Sequence, residues 1–141
     1  EAVAAAGIGV VALPHTNLFL QGRESQTAMP RGLTAVRALR EAGVEVAAGS
    51  DNLQDPFNPI GRGDPLEAAG LMVLTAHLLP DEAFAAVSTV ARSVLGIEMA
   101  GPRVGASADV MVTPVSSVRE AIASGAPRTL VLRRGTVVHQ A

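Results

Sequence analysis

A chain of 141 residues and 14.4 kDa falls in the usual size range of one domain, about 100–200 residues, and is long enough to bury a genuine core. Its 11 basic side chains, all arginine, and 13 acidic ones leave a formal charge of -2, and their scatter along the chain excludes a nucleic-acid partner, which needs a clustered basic surface. The absence of cysteine excludes disulfides, thiolate metal sites and cysteine nucleophiles, and is compatible with the cytoplasm.

The apolar start, Glu1 to Val11, has no basic n-region and is too short to cross a bilayer, so the chain reads as soluble with no membrane partner. Ile8 to Leu13 is a continuous apolar run, as expected of a strand buried on both faces, and Pro14 ends it. Thr16 to Arg23 is mixed in character, and Glu24 to Pro30 has turn composition. From Gly32 to Ala42, Leu33, Val36 and Leu39 recur at helical spacing, with Gly43 as the stop. Val44 to Ala48 reads as a second buried strand, and a loop rich in proline and glycine runs from Gln54 to Pro65. Asp64 and Pro65 open a helix that extends to Leu79, where Pro80 closes it. Asp81 to Leu95 reads as a further helix, stopped by Gly96.

The last third changes character. Ala108 to Thr113 is a short strand, Ser117 to Ser124 a short helix, and Thr129 to Val138 a pair of strands joined at Arg134-Gly135, a two-residue hairpin signal. Strands alternating with helices predict an α/β fold with parallel strands, carrying a small β unit at its end. Zero tryptophan and tyrosine, with three phenylalanines, predict an aliphatic core rich in alanine.

Asp51 is the leading functional candidate. It follows an apolar strand through Gly49-Ser50, and ligand sites of parallel α/β folds lie at the carboxyl ends of strands. From position alone, bracing of the following loop is the alternative. Asn52, Asp55 and Asn58 have the composition of turn formers. The three histidines, His15, His77 and His139, share no metal-binding spacing. His15 follows the first strand and either lines a pocket or is a satisfied edge histidine. Gln21-Gly22-Arg23 either meets a polar ligand or braces a loop. No nucleophile elbow and no catalytic triad occur.

Pro14-His15-Thr16-Asn17-Leu18-Phe19-Leu20-Gln21-Gly22-Arg23, Pro30-Arg31-Gly32 and Gly49-Ser50-Asp51-Asn52-Leu53-Gln54-Asp55-Pro56-Phe57, in this order and spacing, resemble the closing section of the metal-dependent amidohydrolase superfamily, in its bacterial cytosine deaminase-like branch. Val90 to Leu95 and Gly105-Ala106-Ser107-Ala108-Asp109-Val110 are similar to the superfamily's last helix and to the entry to its final strands. The resemblance implies a (β/α)8 TIM barrel, of which residues 1–100 hold the last two strands with their helices, and a small β-sandwich, of which residues 101–141 hold the C-terminal strands.

It further implies hydrolysis of a C–N bond, other than a peptide bond, in a cyclic amide or aminated heterocycle, by water activated on one divalent metal, zinc or iron. Asp51 then corresponds to the family's carboxylate at the end of the eighth strand, both metal contact and proton acceptor. Gln21, Asn52 and Phe57 lie at or just beyond the carboxyl ends of the two strands and are the expected contacts to the small heterocyclic substrate. Ser50 stands where some cytosine deaminases carry histidine, and Asn52 where aspartate is frequent, which admits heterocycles other than cytosine. The family's histidine ligands belong to strands that precede Glu1, so the isolated chain is expected to be inactive and to bind no metal tightly. Two barrel strands cannot close a barrel, and their unpaired edges favour homo-oligomers. The alternative class is a non-catalytic truncated module serving oligomerisation or ligand binding.

Overall fold

The computed structural model describes residues 1–141, as an α/β arrangement followed by a small antiparallel sheet. Strand β1 (Val10–Ala12) and strand β2 (Val46–Ala48) pair in parallel, Val10 opposite Val46 and Ala12 opposite Ala48. The ladder extends at both ends: Val10 N–H donates to Glu45 and Gly49 N–H to Ala12. A parallel pair needs a crossover, here supplied by helices α2 (Pro14–Leu20) and α3 (Val36–Glu41). A four-residue helix, α1 (Ala2–Ala5), precedes β1.

The strand expected over residues 8–13 is shorter and less covered than its composition suggests. Ile8, ahead of β1, and Val11, within it, are 55% and 42% exposed, and β1 has β2 as its sole hydrogen-bonded neighbour. β2 is buried throughout. Pro14 does more than end β1: its fixed φ suits the first helical turn, and α2 starts on it.

Helix α4 (Pro65–Ala76) opens as the sequence predicts, with Asp64 Oδ1 accepting from Leu66 N–H at 2.9 Å. It ends earlier, at His77, whose left-handed φ of 57° caps it. Pro80 starts a helix rather than closing one: α5 (Pro80–Ala86) is capped by Glu82, whose Oε2 accepts from Leu79 N–H at 2.9 Å. The helix expected over residues 81–95 is broken at Ser88, where α6 (Thr89–Val94) begins anew. Ser88 Oγ donates to the Phe84 carbonyl at 2.6 Å, a local bond that competes with the helical ladder.

The core is the contact between β1 and β2 and helices α3, α4 and α5: Ala12, Val36, Val44, Val46, Ala48, Ala69, Met72, Ala76, Leu78, Ala83 and Ala86. Its alanines let the helices approach the strands closely, and Met72 is the largest side chain that is fully buried.

Beyond it, strands β3 (Val110–Val112), β4 (Leu130–Arg133) and β5 (Thr136–Gln140) form an antiparallel sheet in that order, with helix α7 (Val118–Ser124) between β3 and β4. Arg134 and Gly135 both have positive φ, 48° and 77°, which makes the hairpin turn type I′. Two ion pairs tie this sheet to the rest. Arg92 Nη2 donates to Asp109 Oδ2 at 2.6 Å, and Arg128 Nη2 donates to Asp64 Oδ1, the same oxygen that caps α4. No helix is long and apolar enough to cross a membrane.

Candidate functional site

The register of β1 against β2 brings two carboxyl ends side by side. Thr16 lies four residues past Ala12 and Asp51 three past Ala48, and the two meet: Thr16 Oγ1 donates to Asp51 Oδ2 at 2.9 Å. Asp51 is exposed, and its φ of 59° lies in the left-handed region, which aspartate tolerates better than most residues but which is uncommon for any residue with a Cβ. Its Oδ1 makes no hydrogen bond within the chain. The carboxylate is therefore held at one oxygen and free at the other.

Asn52 is held in the loop through its amide Nδ2. Its Nδ2 donates to Asp55 Oδ2 in a very short contact, and its Oδ1 lies 3.4 Å from Thr16 Oγ1. Asp55 organises the rest of the loop: Oδ1 accepts the N–H groups of Phe57 at 2.8 Å and Asn58 at 3.1 Å, an Asx turn. Partial burial works against the charge on Asp55, but the donors Phe57, Asn52 and Asn58 outweigh it and hold the carboxyl below its usual range. Asn58, 3% exposed, donates from Nδ2 to the Asn52 carbonyl at 2.9 Å. Phe57 stands 51% exposed above this braced turn.

Gln21 follows α2, and its Oε1 accepts the Gly32 N–H at 3.1 Å. That bond braces the segment before α3 and leaves Nε2 free. No hydrogen bond joins Gln21 to Asp51, Asn52 or Phe57. The structure thus links Asn52 and Phe57 through Asp55 on the loop that carries Asp51, and no hydrogen bond ties Gln21 to it.

His15 is not the satisfied edge histidine of the alternative reading, because it packs inward without a hydrogen-bond partner. Its side chain is 9% exposed and faces α4, with Nε2 3.4 Å from Glu67 Oε2, a carboxylate that Arg62 also pairs at 3.0 Å. Both ring nitrogens lack a hydrogen-bond partner. His139 Nε2 lies 3.1 Å from the Arg128 carbonyl. Thr16, Asp55 and Asn58 are the residues whose part the sequence understated. The spacing of Asp55 and Asn58 around Pro56 carries an Asx-turn signal, whereas a contact between residues 16 and 51 has no local signature.

A divalent metal could use Asp51 as one ligand, since an exposed carboxylate with a free oxygen is a suitable hard donor. The chain supplies no more than that: no group of three or more His, Cys, Asp or Glu side chains is positioned to hold an ion, whereas catalytic zinc takes three protein ligands.

The profile of the amidohydrolase family matches residues 1–139. A pterin deaminase of Rhizobium rhizogenes strain K84 is 37% identical over 142 residues, which span 98% of this chain and 32% of that protein. The crystal structure of 5-methylcytosine deaminase from Klebsiella pneumoniae liganded with phosphonocytosine superposes with a TM-score of 0.88 at 26% identity, covering 99% of this chain and 35% of the other. That of N-isopropylammelide isopropylaminohydrolase from Burkholderia multivorans superposes at 0.78 with 29% identity, covering 98% and 33%. The chain spans about a third of the length of these relatives.

Proposed function

The chain belongs to the amidohydrolase family, and from that membership we propose that it is the C-terminal section of a metal-dependent hydrolase that attacks a non-peptide C–N bond in a cyclic amide or aminated heterocycle. Residues 1–100 contribute the last two strands of a (β/α)8 barrel, and residues 101–141 the closing strands of a β-sandwich. The enzyme works in the cytoplasm. The observation that carries this reading is the Asp51 carboxylate at the carboxyl end of β2, fixed by Thr16 at one oxygen and free at the other. The relatives that match the chain, named as deaminases and an aminohydrolase of nitrogen heterocycles, support the substrate class.

One divalent ion, zinc or iron, supplies a water of lowered pKa when bound. Asp51 offers Oδ1 as one ligand, and the remaining ligands come from other parts of the enzyme. The same carboxylate accepts a proton from the attacking water and returns it to the departing nitrogen, so that a C–N bond is exchanged for C–O and ammonia or an amine leaves. Asn52 and Phe57 border the ring, Phe57 offering an apolar face and Asn52 an amide able both to donate and to accept. Gln21 contributes its free Nε2.

The test is ammonia release by the full-length enzyme, loaded with zinc or iron, across a panel of pterins, cytosines and amino-triazines. Turnover of at least one heterocycle on the order of 1 per second or faster is expected, and none at all overturns the assignment. Asn52→Asp should change the ratio of kcat/KM between two of these rings, because unpaired polar groups facing a substrate discriminate strongly. A constant ratio with lowered stability would make Asn52 a loop residue only. The free edges of the two-stranded sheet favour a second reading, a non-catalytic association module. In that case the full-length protein would oligomerise through this region and release no ammonia.

A further inference from the structure

Asp51 receives one hydrogen bond to its side chain, and it comes from Thr16. The donor is anchored on a different element: Thr16 sits in the first turn of α2, behind β1, while Asp51 follows β2. A hydroxyl carries a single proton. With Asp51 Oδ2 at 2.9 Å and Asn52 Oδ1 at 3.4 Å, that proton belongs to the carboxylate, the shorter and charge-assisted partner. The left-handed backbone at Asp51 is uncommon for a residue with a Cβ and persists where surrounding contacts hold it. The bond from Thr16 is such a contact, and it reaches across the strand pair.

We propose that Thr16 is a positioning residue for the reaction: its hydroxyl occupies Asp51 Oδ2, fixes the carboxylate's rotamer and directs Oδ1 to the metal and the attacking water. This inference rests on the assignment of Asp51 above. Thr16 touches neither substrate nor ion and acts through Asp51.

The experiment compares Thr16→Val, which keeps the shape and removes the hydroxyl, with Thr16→Ser, which keeps the hydroxyl, in the full-length enzyme. Metal affinity is read by competition with a chelator, kcat and KM by ammonia release, and folding by thermal unfolding. Loss of a group that orients a metal ligand typically costs about 10–100-fold in affinity or activity. Thr16→Val should weaken metal binding and lower kcat by that order, with KM nearly unchanged, and Thr16→Ser should restore both. Wild-type metal affinity and kcat in Thr16→Val would overturn the proposal. So would a loss that serine fails to rescue, because the methyl group and not the hydroxyl would then be responsible. A wild-type enzyme that binds no divalent ion and releases no ammonia would remove the assignment of Asp51 itself, an outcome distinct from a Thr16→Val variant as good as an active parent.

Discussion

Asp51 combines a strand-end position, a left-handed backbone and a carboxylate oxygen free of internal bonds. Its side chain is exposed, and asparagine tolerates the same left-handed backbone, so that exchange costs the fold little. Asp51→Asn in the full-length enzyme should lower kcat by about 10²–10⁴-fold or more, the usual worth of general acid–base assistance with a weakened ligand added, while the unfolding temperature stays close to wild type. Steady-state kinetics and a melting curve check both halves. Near-normal turnover would move the catalytic carboxylate elsewhere. The strand-end position of Asp51 was legible in the sequence because an apolar strand and the small pair Gly49-Ser50 announce it. Thr16 was not, because the bond that gives it meaning spans 35 residues.

At the scale of elements, the loop after β2 is a braced structure rather than a slack connection. A Cβ added at Gly61 would lie 2.5 Å from the Asn52 carbonyl and 2.7 Å from Asn58 Nδ2, distances that force the loop to move. Gly61→Ala should therefore cost about 1–3 kcal/mol, the range for overpacked sites, and raise KM, since Asn52 and Phe57 ride on the displaced segment. Chemical denaturation and substrate kinetics test it, and an unchanged KM would detach this loop from the substrate.

The junction between α6 and the antiparallel sheet is the second such element. The Arg134 N–H and the Arg92 guanidinium hold the Asp109 carboxyl below its usual range. A carboxyl lowered in the folded state stabilises above its unfolded pKa, about 3.9, and that contribution is lost as pH falls through the folded value. Asp109→Asn should consequently lower the melting temperature at neutral pH, and the gap to wild type should close below about pH 4. A gap that stays constant with pH would show that the carboxylate's charge adds nothing.

At the scale of the molecule, the chain has one small aliphatic core and a two-stranded parallel sheet whose outer edges are unpaired. Because it positions no group of three or more His, Cys, Asp or Glu side chains that could hold an ion, the isolated 141-residue chain should release no ammonia from cytosine, pterin or related rings with added zinc or iron. Turnover on the order of 1 per second by the chain alone would show that it needs no other ligands. Val11 on β1 and Ile8 just ahead of it, both exposed, should also make the isolated chain associate, which sedimentation at several concentrations would reveal.

The alternation of apolar runs with helical periods determined the α/β class, because burial of a strand or a helix face leaves its period in the sequence. The hairpin at Arg134-Gly135 and the cap at Asp64 were likewise written locally, in residues whose own conformational preferences decide the turn. Only the tertiary structure decided that Pro14 and Pro80 begin helices, since proline ends one element and opens the next with equal ease and the outcome depends on what packs behind it. It also decided the break at Ser88, where a side-chain bond to the Phe84 carbonyl competes with a periodicity that reads as continuous. The pairing of Val10–Ala12 with Val46–Ala48 brought Thr16 to Asp51. A parallel register is fixed by packing across a crossover of some thirty residues, a distance over which no local preference can specify which side chains meet.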